Sequence, residues 1–226
     1  MEEEKPNQQP QQQIEQEEKE IVIKQNTTST AKIYGIENYK IDKRPVKVKK
    51  EEKPFEQQMT KLREINESTH LPKKSVYGVI LIHQNNFPHL FIYQKQSKQN
   101  VKENIQLVGG KINNGEEPIE GLKRKMKKQL NVDDLKHYQI GELLGTFYRI
   151  NYSSNLYPYL PSHVHSPKEI ISLYMIHINE SCNFKIAEGD AISSIPFFNL
   201  YNNTNSYHVV LCSIPMLLSR YCLIIG

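Results

Sequence analysis

Between Gly109 and Val132 the chain reads GGKINNGEEPIEGLKRKMKKQLNV, which commits this stretch to a tight loop followed by an amphipathic helix. Gly109-Gly110 and Asn113-Asn114-Gly115 are turn material. Pro118 stands where a first helical residue tolerates a missing N–H. Ile119, Leu122, Met126 and Leu130 then recur on one apolar stripe, which predicts a helix over Pro118–Leu130. On such a helix Arg124, Lys125, Lys128 and Gln129 share a flank, at i, i+1, i+4 and i+5. Lys123, Lys125, Lys127 and Lys128 read in two ways, as an ordinary solvated helix face or as a patch that attracts phosphate.

Upstream, the run from Ser75 to Gln94 reads strand, Asn-rich turn, strand, and Leu107-Val108 leads into the loop. Strand, loop and helix around a mixed sheet give an α/β fold, an α/β/α sandwich. Near the C-terminus, Leu211–Leu218 is expected to end the fold as a helix, with Ser213 as its cap and Pro215 early in it.

The loop and helix resemble the Nudix box, a pyrophosphatase motif. In that motif a Gly is followed after five residues by Glu, and after seven more by Arg-Glu, an apolar residue and a Glu-Glu pair. Gly110, Glu116 and Arg124 fit, whereas the three later acidic positions hold Lys125, Lys128 and Gln129. Nudix hydrolysis needs a hard divalent cation held by several carboxylates, both to neutralise the diphosphate and to activate water. A flank of two lysines, an arginine and a neutral amide repels such an ion. Glu116 and Glu117 alone make a weak site. The resemblance therefore implies the Nudix scaffold without the chemistry: no catalytic residue, no metal and no cofactor.

At 226 residues the chain has room for one domain plus a tail. The expected organisation is a disordered Gln/Glu-rich tail over 1–30, an N-terminal extension over 31–75 packing on the domain, and a Nudix-like domain over 76–226. Residues 1–20 hold seven Glu against Lys5 and Lys19, a net of −5, while the whole chain is +4, so residues 21–226 carry +9. A basic globular part suits a polyanionic partner. Lys43–Lys50, KRPVKVKK, reads as a solvated linker, an RNA contact or a nuclear import signal. No apolar run approaches the ~18 residues of a membrane span. Cys182, Cys212 and Cys222 are scattered and lack a CxxC spacing, which argues against a disulfide framework or a zinc site. His163 and His165 read as loop residues.

Several stretches, in order, resemble the family of the 25 kDa subunit of pre-mRNA cleavage factor Im. They are IYGIENY (Ile33–Tyr39), Gly109-Gly110 with GEEPIEGLKRKM (Gly115–Met126), YPYLPSH (Tyr157–His163), Pro167-Lys168-Glu169 and SIPMLLSRY (Ser213–Tyr221). The resemblance implies a nuclear, non-catalytic homodimer. Such a protein binds UGUA-type single-stranded elements in pre-mRNA and recruits a larger subunit with an RNA-recognition domain. Leu107 and Tyr207 match residue types of the family's RNA site, and Arg149 matches a position close by. Tyr77 replaces a family Glu there, His208 replaces a Gly, and Gln58 falls where the family has Arg. Asn104-Ile105 replaces two adjacent aromatics. Glu103 closes the polar loop Gln94–Glu103, read as a flexible rim of the same site. The RNA-binding candidates are thus Leu107, Tyr207, Arg149, Glu103, Asn104, Tyr77 and His208. Tyr157 and Tyr159 match positions that contact the large subunit. Loss of the aromatic pair keeps a second reading open, a dimeric scaffold without sequence-specific RNA contacts. A Nudix hydrolase is the remote third.

Overall fold

The computed structural model describes residues 29–45, 54–95, 105–132 and 137–226. Glu103, Asn104, residues 1–28 of the expected tail, most of the loop Gln94–Glu103 and Val46–Lys50 of the basic cluster lie outside the described residues.

A mixed sheet forms the middle layer. Its strands are β3 (Lys73–Gln84), β4 (Phe87–Gln94), β5 (Ile105–Gln106), β6 (Val108–Lys111), β7 (Tyr138–Arg149), β8 (Glu169–Ile178) and β10 (Ala191–Pro196). The order is β10-β4-β3-β8-β7, with β5 paired to β4 and β6 to β3. β3 and β8 run parallel, and the other pairings are antiparallel. The β3–β4 turn is built by Asn85 (φ 48°) and Asn86 (φ 64°). Asn tolerates this left-handed conformation, and two such residues match the twist of a tight hairpin.

Alternate residues of β3 feed two cores, because successive side chains of a strand point to opposite faces. Val76, Ile80 and Ile82 pack with Leu122, Met126 and Leu130 of α2 (Pro118–Leu130). The helix has the bounds the periodicity predicts. β2 (Tyr39–Arg44) and β9 (Cys182–Ala187) pair in parallel and join this layer through Tyr39, Phe184 and Ile186. Val79 and Leu81 face the other way, toward α4 (Val209–Leu217) and the parallel pair β1 (Ser29–Ile33) and β11 (Tyr221–Ile225). α1 (Phe55–Thr69) enters ahead of β3, and the short α3 (Phe197–Leu200) follows β10. The α/β/α sandwich with a mixed sheet is therefore present. Among the described residues no helix is long and apolar enough to cross a membrane.

The C-terminus departs from the sequence expectation in three respects. The helix expected over Leu211–Leu218 runs Val209–Leu217, so Pro215 lies inside it and not early in it. The cap of α4 is His208, whose Nδ1 accepts from Val210 N at 3.4 Å; Ser213 instead donates its hydroxyl to Val210 O at 2.8 Å. The helix also does not end the fold, because β11 follows it and pairs with β1. YCLII is a short apolar run, and periodicity alone cannot distinguish a strand in such a run from the tail of a helix.

Candidate nucleic-acid interface

The three layers leave a groove of about 1370 Å³ at one end of the sheet. It is lined by Lys125, Lys128 and Gln129 of α2, by Tyr207 and His208 on the approach to α4, and by residues of α1 and the β5–β6 segment.

Gly109 and Gly110, read from the sequence as turn material, instead lie in β6, paired with β3, and Gly109 is held there by a side chain that the sequence alone does not single out for this role. Gln129 Oε1 accepts from Gly109 N at 2.7 Å, and Gln129 Nε2 donates to Gly109 O at 3.1 Å. Gly109 itself lies opposite Tyr77 in the β3–β6 pairing, with φ 143°. A Cβ there would stand 2.2 Å from Val76 O and 2.7 Å from Tyr77 Cα, so only glycine fits.

Glu116, at the first acidic position of the motif, is engaged by Arg124. Arg124 Nε donates to Glu116 Oε1 and Nη2 to Oε2, both at 2.7 Å, and Asn113 N donates to Oε2 at 2.7 Å. The guanidinium first, and the Asn113 N–H second, bring the Glu116 carboxyl down to about 2. Lys125, Lys128 and Gln129 occupy the remaining positions. This donor set does not fit a divalent cation, which requires several oxygen ligands free to coordinate.

The floor is a cross-strand ion cluster. Arg149 of β7 and Lys73 of β3 are both in register with Glu169 of β8. Arg149 Nε donates to Glu169 Oε2 at 3.0 Å, Lys73 Nζ donates to Oε1, and Ser75 Oγ reaches Oε1 at 3.5 Å. Arg149 and Glu169 are 6% and 4% exposed. Burial alone would raise the Glu169 pKa, but Lys73 and Arg149 outweigh it and hold the carboxyl below its usual range. Arg149 also donates to Ser153 O. A second buried acid, Asp190, accepts from the Tyr93 hydroxyl.

The groove brings together Tyr77, Leu107, Arg149, Tyr207 and His208 of the predicted RNA contacts, and Gln58 also lines it. Their roles differ. Leu107 is only 4% exposed and its side chain belongs to the core, so only its main chain is available to a ligand. Arg149 is committed to Glu169. Tyr77 and Tyr207 are half-buried, packing on the core while lining the groove. His208 is open to the groove, yet the walls displace enough water to lower its pKa, with Arg149 adding to that effect. Tyr157 and Tyr159 do not line the groove. Tyr157 is bridged to Tyr148 through two backbone hydrogen bonds, and its ring meets that of Tyr159 edge-on at 6.2 Å. Tyr159 is 60% exposed.

Sequence reasoning assigned no role to Glu169, although Pro167-Lys168-Glu169 was among its matching stretches. Its partners lie 20 and 96 residues away, and only strand register places them together. The lysine run of α2 also divides. Lys125 and Lys128 line the groove, whereas Lys123 pairs with Glu120 at 3.1 Å.

A mixed sheet carrying this loop and helix defines a Nudix-class domain, and residues 29–221 match the NUDIX_2 family, described as "Nucleotide hydrolase". The chain is 35% identical to cleavage and polyadenylation specificity factor subunit 5 of Dictyostelium discoideum, over 76% of this chain and 87% of that protein. It is 32% identical to pre-mRNA cleavage factor Im 25 kDa subunit 2 of Arabidopsis thaliana, over 66% and 74%. Subunit 1 of the same plant matches at 29% over 69% of each chain. The chain belongs to the NUDIX_2 family and, within it, to the family of cleavage factor Im 25 kDa subunits. Among solved structures, a C. elegans Ap4A hydrolase complex aligns with TM-score 0.45 and 12% identity, over 65% of this chain and 95% of that one.

Proposed function

We propose that this protein is a non-catalytic RNA-binding subunit of the nuclear machinery that processes pre-mRNA 3′ ends. In this reading it binds single-stranded, UGUA-like RNA as a homodimer and recruits a larger subunit through Tyr157 and Tyr159. The observation that carries the reading is the composition of the groove: among the described residues, Tyr77, Tyr207 and His208 line it together with eight cationic side chains and two acidic ones, Glu169 and Asp190. Flat rings beside a positive channel suit single-stranded RNA, whose bases stack on aromatics while its phosphates seek cations. The names of the two Arabidopsis relatives place those proteins in pre-mRNA cleavage factor Im, and the name of the Dictyostelium relative places it in a cleavage and polyadenylation specificity factor. Engagement of Glu116 by Arg124, and the amide and ammonium groups beyond it, support a role without hydrolysis.

The scaffold reading has its own support. Arg149 is held by Glu169 and the Leu107 side chain is buried, so two of the predicted contacts have no free side chain for base recognition. Titrating a UGUA oligomer against a scrambled single strand separates the two readings. Preference for UGUA is expected, and equal or absent binding means a scaffold. Mg²⁺-dependent turnover of a dinucleoside polyphosphate that disappears in Glu116→Gln would instead establish a hydrolase.

A further inference from the structure

The groove-facing flank of α2 carries Lys125 and Lys128, and the carboxylate that acts on Lys125, Glu116, is already held by Arg124. Lys125 is half-buried, and its Nζ lies 3.6 Å from where a Cβ on Gly110 would stand. Among the described residues neither Lys125 nor Lys128 forms an ion pair through its ammonium group. Desolvation lowers the Lys125 pKa, and Arg124, Lys128 and Lys95 lower it further. The two acids of the groove are already engaged, Glu169 by Lys73 and Arg149, and Asp190 by Tyr93. Crowding like charges in a concave, partly dry wall opposes folding, and a bound anion would relieve it. The sequence alone left this flank open as either a solvated face or a phosphate patch. The placement of Lys125 and Lys128 in a groove that Tyr207 and His208 also line favours the second.

We propose that Lys125 and Lys128 form a phosphodiester clamp, gripping the backbone of a single strand whose bases lie toward the Tyr77–Tyr207 side. This rests on the RNA-binding reading above and names the residues that supply its base-independent affinity. Lysine suits the task as a compact point charge with three rotatable donors. Phosphate contacts position a strand without reading its sequence. In this chain charge therefore carries part of the binding that stacking on Asn104-Ile105 cannot supply.

The test uses the full chain and two single strands, one with UGUA and one scrambled, titrated from 0.05 to 0.5 M salt. The Lys125→Gln/Lys128→Gln double variant should lower the slope of log affinity against log salt by about 1.4, at roughly 0.7 per lost phosphate contact. By the same relation its affinity at 0.1 M salt should fall about 25-fold, equally for both strands. Lys127→Gln, which removes one charge from the same helix outside the groove, should alter neither. An unchanged slope in a folded double variant overturns the clamp while leaving RNA binding intact. A parent chain that binds neither strand overturns the RNA-binding reading and the clamp with it. A loss confined to UGUA would show that these lysines read bases, which also contradicts the proposal.

Discussion

Gln129 satisfies both backbone groups of Gly109, accepting from its N–H at 2.7 Å and donating to its carbonyl at 3.1 Å. An amide can do both, whereas an ionised carboxylate lacks the donor and a lysine the acceptor. The position that the hydrolase motif gives to glutamate has become a latch between α2 and β6. Gln129→Glu should therefore leave Gly109 O without its side-chain donor and set a negative charge beside it. We expect a loss of about 1–3 kcal/mol in urea unfolding, and no gain of metal-dependent hydrolysis.

The other half of the latch depends on glycine. Gly109→Ala places a Cβ 2.2 Å from Val76 O at a φ of 143°. Backbone strain of this kind costs about 1–3 kcal/mol before the clash is counted. Thermal unfolding should show a clear fall in Tm. The equivalent change at Gly115, where a Cβ would meet nothing within 4 Å, should show a smaller one, from its φ of 79° alone.

The Arg149–Glu169–Lys73 cluster makes a signed prediction with pH. Glu169 is held below its usual range, so its stabilisation is fully present above the ordinary glutamate value of about 4.3. It is lost as pH falls through the lower folded value. Glu169→Gln leaves Arg149 buried without its counter-charge, at about 3–5 kcal/mol near neutrality. The gap between parent and variant urea midpoints should be widest near pH 7 and should narrow below pH ~4, through this linkage. A constant gap would show that Glu169 acts through packing alone.

The two tyrosine sets should separate in function. Tyr207→Ala should weaken single-strand binding by about 1–3 kcal/mol, roughly 5- to 150-fold, if one base stacks there. Tyr159→Ala, outside the groove and largely exposed, should leave RNA affinity unchanged and weaken capture of the larger subunit. Anisotropy titration reads the first, and co-sedimentation with the larger subunit reads the second.

What the sequence makes legible follows the range of the interactions concerned. The helix Pro118–Leu130 was readable because its stripe, its first-turn proline and its flanking turns are all local. The hairpin around Asn85-Asn86 was readable for the same reason. The groove as an assembly was only partly readable. Tyr77, Arg149 and Tyr207 could be assigned from motif resemblance, but their proximity depends on β3, β7 and the approach to α4 meeting at one end of a sheet. Glu169 and Gln129 were missed as organising residues because each acts on a partner at least 20 residues away, through register or across a helix–strand contact. The His208 cap was missed because histidine is an uncommon cap, and Ser213 offered the more familiar residue type.

Binding of RNA by the groove without a metal is the property on which the proposed function rests. The direct measurement is a fluorescence-anisotropy titration of the full chain with a UGUA single strand, in EDTA and again in Mg²⁺. The account predicts saturable binding of equal affinity in both, weaker for the scrambled strand and reduced by Tyr207→Ala. Absence of binding in EDTA, or binding that appears only with Mg²⁺ and ends in cleavage of the ligand, would contradict it.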